Sequence, residues 1–95
     1  MNEGRISWRR HVLERIAQRG LRQEQVVNVL LSGEGIEDYP DDSPFPSVLF
    51  LGFWNAQPIH VVASFDEEND HAYIITAYEP SLDVFEADHK TRKVR

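Results

Sequence analysis

The apolar residues change their period once along this chain, and that change limits what it can fold into. As far as Ser32 they return every three or four positions, whereas beyond Gly35 they alternate or run together. The first rhythm suits a helix buried along one side, and the second suits strands whose successive side chains face opposite ways. Trp8, Val12, Leu13, Ile16 and Ala17 give one stripe, which predicts a helix from Trp8 to about Arg19 with Ser7 as its cap and Gly20 as its stop. Val26, Val27, Leu30 and Leu31 give a second, from about Gln23 to Ser32, with Leu21 placed to staple onto Val26 and Gln25 at the capping-box position. The short connection between them makes a helical hairpin.

Four strands follow in this reading. Gly35 to Tyr39 is short and weakly patterned, as at an edge. Ser47 to Trp54 is nearly all apolar, as in a central strand, and Ile59 to Phe65 and Ala72 to Glu79 are the last two. Turn-rich residues separate them, and Pro80 breaks the last. The connections are too short for parallel crossovers. The expected fold class is therefore α+β, with a helical hairpin packed on one face of a four-stranded, mainly antiparallel sheet. At 95 residues the chain reads as a single domain, 1–95. Trp8, Val12, Ile16, Val27, Leu30, Leu49, Leu51, Val61, Ala63 and Ile74 are expected to share its core. A helical turn from Ser81 to about Ala87 and a loosely held basic tail, about 89–95, complete the expectation.

Charge is unevenly placed within a net of −6. Six arginines lie between Arg5 and Arg22, and Lys90, Arg92, Lys93 and Arg95 close the chain, while the thirteen acids from Glu34 to Asp88 have no Lys or Arg among them. The domain as a whole is not the basic body expected of a nucleic-acid binder, although helix and tail could form a local anion patch. No cysteine is present, which removes disulfides and thiolate metal sites. The charged N-terminus and the lack of a long apolar run point to a cytoplasmic protein with no membrane partner.

His11, Arg15 and Arg19 are spaced by four and share one side of the first helix. Imidazole and guanidinium together suit a phosphate, since one moves a proton near neutrality and the other forks onto phosphate oxygens. Ion pairing with nearby acids is the plainer explanation of the arginines. His60 sits among apolar neighbours in mid-strand, and Tyr78 ends the last strand. Alternation sets Ile59, Val61, Ala63 and Phe65 toward the helices, so His60, Thr76 and Tyr78 should meet on the other face, provided the register holds. No histidine spacing or acidic loop fits a metal, no glycine-rich phosphate loop or nucleophile motif occurs, and neither metal nor cofactor is expected.

The segment His11–Leu21 (HVLERIAQRGL), Tyr39–Asp42, Leu51–Gly52, Pro58–Val62, Thr76–Pro80 and Lys90–Arg92 resemble, in order, the bacterial domain-of-unknown-function family numbered 4258. That family is grouped by similarity with the RelE/ParE-like toxins of toxin–antitoxin operons. Many toxins of that fold are metal-independent ribonucleases and others inhibit gyrase; the leading reading that the resemblance implies is a metal-independent ribonuclease with RNA as substrate and a cognate antitoxin protein as partner. His60 or His11 would then be base or acid, Tyr78 the other proton carrier or a base-stacking ring, and Arg15, Arg19 and Arg92 the phosphate clamps. The acidic net charge departs from typical ribonuclease toxins and leaves a second reading open, a non-catalytic protein-binding module on the same fold. Oligomeric state is not legible in the sequence.

Overall fold

A computed structural model of the protein describes residues 5–94. Strand β1 (Ile6–Trp8) leads into helices α1 (Arg10–Gln18) and α2 (Gln23–Ser32), and strands β2 (Glu34–Tyr39), β3 (Ser47–Trp54), β4 (Gln57–Asp66) and β5 (His71–Tyr78) follow. They form one sheet in the order β1-β5-β4-β3-β2. Neighbours are antiparallel except β1, which runs parallel to β5 with Ile6 opposite Ala72 and Trp8 opposite Ile74.

The α+β class holds, but the expected sheet of four antiparallel strands behind two leading helices does not. The sheet is five-stranded and mixed, and a strand precedes the helices. Three residues are too few to display an alternation, and Ser7, read as a helix cap, lies inside β1. Ser7 and Trp8 are held by β5, so α1 starts at Arg10, with Arg9 as N-cap.

The helical hairpin is set by its joint. Gly20 has φ +74°, a conformation glycine reaches without steric penalty. This lets the Gly20 amide donate to the Ala17 carbonyl and the Leu21 amide to that of Ile16, the two bonds that close a helix C-terminus. Leu21 is buried before α2, and the Arg22 amide donates to Gln25 Oε1 at 2.7 Å. α1 then lies on β5, and α2 lies on β3 and β4. At Gly52 the helix comes so close that a Cβ would meet the Val29 side chain at 2.9–3.1 Å. Asn55 and Ala56, both at positive φ, turn β3 directly into β4.

The core between helices and sheet holds Val12, Ile16, Val27, Leu30, Val61, Ala63 and Ile74, with Trp8 packed at its margin. Leu49 and Leu51 are buried too, but outside this cluster. Leu51 pairs in register with His60, so the two share the sheet face turned away from the helices. The expected single core therefore divides in two across the sheet. The second layer exists because residues after Pro80 fold back: Phe85, only 3% exposed, packs edge-on against the His60 ring at 4.6 Å.

Candidate functional site

β4 and β5 place His60 directly opposite Tyr78 and Val62 opposite Thr76, on the face away from the helices. The His60 and Tyr78 rings meet edge to face, with centroids 5.4 Å apart. A bulge after Val62 shifts the register farther along the pair without disturbing this end. His60 is fully buried, and its Nε2–H donates to the carbonyl oxygen of His89. In the neutral ring, that bond puts the proton on Nε2 and leaves Nδ1 as a buried lone pair with no partner among the described residues. Burial holds the His60 pKa below the ordinary imidazole value, against the bond to His89, which pulls the other way. Burial likewise raises the Tyr78 pKa, so the phenol keeps its proton.

Cations reach this pair from both ends of the chain. Arg19, at the end of α1, donates from Nη1 to Thr76 Oγ1 at 3.2 Å and to the Ala77 carbonyl at 3.0 Å. β1 covers β5 only as far as Ile74, and Arg19 closes part of the strand edge beyond it. Arg92 lies over the Phe85 ring and forks onto Glu37 at 2.7 and 3.0 Å. Both guanidinium groups act electrostatically on Tyr78. The Glu37 carboxyl is held below its ordinary pKa, first by the hydrogen bond from Arg92, and it also accepts a bond from the Tyr39 hydroxyl.

The C-terminal segment is thus pinned over the pair. Lys90 contacts Glu34 at 3.3 Å, Lys93 N–H donates to the Val84 carbonyl, and Phe85 forms an isolated bridge with Arg92. Asp88 shapes the turn between them by accepting bonds from Thr91 and the Lys90 amide, which hold its pKa down at about 2. The tail's cations meet the acids of β2 rather than extending the strip on α1, and Arg95 lies outside the described residues. His11 and Arg15 stay on α1, both exposed. His11 lines a cavity beside Arg9 and Tyr73 instead of reaching His60.

Sequence reasoning brought out His60, Tyr78, Arg19 and Arg92, which the structure gathers. It missed Glu37, Tyr39, Phe85 and His89. One signal was available: with no Lys or Arg between Glu34 and Asp88, any ion pair made by β2 must draw its cation from an end of the chain. Among the described residues no group of three His, Asp or Glu is placed to hold a metal ion, and no helix is long and apolar enough to cross a membrane.

A small helix-on-sheet domain with a paired histidine and tyrosine under a C-terminal cover is the class the geometry defines. The chain belongs to the family described as a domain of unknown function, DUF4258, whose family model matches residues 8–79. No curated protein and no solved structure matches it. The matched stretch contains His60, Tyr78, Arg19 and Glu37 but stops short of the covering segment.

Proposed function

We propose that the protein is a toxin-like ribonuclease that cleaves RNA without a metal, at His60 and Tyr78, once the C-terminal segment lifts. The observation that carries this reading is the free Nδ1 lone pair of a neutral His60 beside a protonated Tyr78. Two neighbouring groups pushed in opposite directions divide into a base and a proton donor. His60 Nδ1 would take the proton of an RNA 2′-hydroxyl as its oxygen attacks the adjacent phosphorus. Tyr78 would give its proton to the departing 5′-oxygen, and Arg19, which is held on β5 and does not move with the segment, would balance the charge gathering on the phosphorane oxygens. The products are a 2′,3′-cyclic phosphate and a 5′-hydroxyl, and no other reactant is consumed. A cognate antitoxin protein would be the natural partner of such an activity.

A second reading rests on an equally specific observation. His60 is 0% exposed beneath Phe85, as suits a structural histidine in a non-catalytic protein-binding module. Labelled RNA incubated with the protein in a chelating buffer separates the two. Cleavage that survives chelation and falls about 10²–10⁴-fold on His60→Asn or Tyr78→Phe supports the ribonuclease. Intact RNA across the neutral range, with the protein folded and its C-terminal segment displaced by substitution, leaves the binding module.

A further inference from the structure

α1 begins against the usual electrostatic rule. Its N-cap, Arg9, makes no side-chain capping bond, its first turn holds no acid, and Arg9, Arg10 and His11 crowd the end where the helix dipole is already positive. Glu14 occupies Arg10 at 3.3 Å. Arg9 and His11 instead face a cavity of about 440 Å³, a volume suited to a small organic ligand. Across it, Phe45 of the β2–β3 loop and Tyr73 of β5 lie parallel within 4°, with centroids 5.8 Å apart. Ser47, which is 1% exposed, lies in the cavity wall, and its hydroxyl has no partner among the described residues.

We infer that this cavity is a binding site for a nucleoside phosphate. The phosphate sits at the α1 N-terminus, where open backbone amides and the His11 ring offer N–H donors and Arg9 supplies the positive charge. The base lies against the Phe45–Tyr73 surface, since every nucleobase has a flat face to stack. Ser47 offers its hydroxyl to the sugar or the base edge. Asp42, also in the cavity wall, repels the anion toward the helix end and accepts a hydrogen bond from a base amino group. The site is distinct from the His60–Tyr78 pair and does not depend on RNA cleavage.

The test titrates the full chain with nucleoside monophosphates, with the corresponding nucleosides, with inorganic phosphate, and with a short 5′-phosphorylated oligoribonucleotide. Binding is followed by NMR shifts of the Tyr73 ring and neighbouring amides. The site predicts that a monophosphate binds at least about tenfold more tightly than either its nucleoside or phosphate alone, because each half supplies only part of the contact. His11→Ala, an exposed change that leaves the core untouched, and Tyr73→Leu should each weaken binding about tenfold. Arg22→Ala, at the N-cap of α2, should not weaken it. Equal affinity for the oligonucleotide points to a free nucleotide as the natural ligand, and tighter binding points to an RNA end. Phosphate binding as tightly as the nucleotide, no shift at Tyr73, or full affinity in folded His11→Ala would overturn the proposal.

Discussion

Arg92 forks onto the Glu37 carboxylate at 2.7 and 3.0 Å, tying the last residues of the chain to a strand at the edge of the sheet. The pair is partly exposed, and the second tie, between Lys90 and Glu34, is more so. Apart from these ion pairs, the covering segment rests on Phe85 and the bond from His60 to His89.

Loosening those ties should uncover His60. Glu37→Gln removes the charge that Arg92 holds, and added salt screens both pairs. Hydrogen exchange of the amides from Glu86 to Lys93 is expected to accelerate in Glu37→Gln and in wild type at high salt, while β3 and β4 stay protected. Unchanged exchange in both cases would show that Phe85 and the bond from His60 to His89 secure the segment without the ion pairs.

Acid should act on the fold in two windows. His60 is neutral and buried with a lowered pKa, so the unfolded chain binds its proton first. Stability is full above about pH 6.5 and declines as pH falls from there through the lowered folded value. Glu37 is a carboxylate with a lowered pKa, so its contribution is present above about pH 4.5 and lost as pH falls through its folded value. Urea unfolding along a pH series should show the upper decline reduced in His60→Gln and the lower one reduced in Glu37→Gln.

Packing against the helices gives two predictions of opposite kind. Ile16, 2% exposed, should cost about 2–5 kcal/mol when changed to Ala, because the cavity left behind cannot fully collapse. Gly52→Ala should cost about 1–3 kcal/mol for the reverse reason, since the new methyl meets Val29 at 2.9–3.1 Å. In the double variant Gly52→Ala/Val29→Ala the steric part of that cost should shrink, since the two Cγ contacts go and only the Cβ contact at 3.1 Å remains, and denaturant titration of the four proteins of the cycle would read the difference.

Arg19 should prove structural as well as electrostatic. Arg19→Met keeps the aliphatic stem and removes two hydrogen bonds to β5, so a loss of about 0.5–1.5 kcal/mol per bond is an upper expectation at this exposed edge. Faster exchange confined to the end of β5 would accompany it. If stability were unchanged, the contacts with Thr76 and Ala77 would carry no net weight.

The parts of this fold that could be read from the sequence are those whose signal repeats. α2 extends over the ten residues its periodicity predicts, and the alternation along β4 placed Ile59, Val61 and Ala63 inward and His60 outward. β1 escaped because three residues make no pattern and its parallel partner lies at the other end of the chain. Leu49 and Leu51 were assigned to the wrong side of the sheet because β3 is apolar on both faces, and a continuous run carries no alternation to choose between them. The cover was illegible for a related reason. Among the described residues its only large buried side chain is that of Phe85, and ion pairs between Glu37 and Arg92 leave no local mark in a sequence.

The parallel pairing of Ile6 with Ala72 also bears on how the protein is made. On the ribosome β1 emerges first, yet its partner strand is among the last segments to appear. A nascent chain ending before His71 already carries both helices and the β3–β4 hairpin but cannot complete the sheet, and the outer edge of β4 remains open. Such an edge can pair with a neighbouring chain while synthesis continues. Contacts that join distant segments also slow closure once the chain is free. β5 closes that edge, and β1 must then cover β5 in turn, so an N-terminal fusion that delays the docking of β1 leaves the edge of β5 open and should lower the yield of soluble protein even where the finished fold is equally stable.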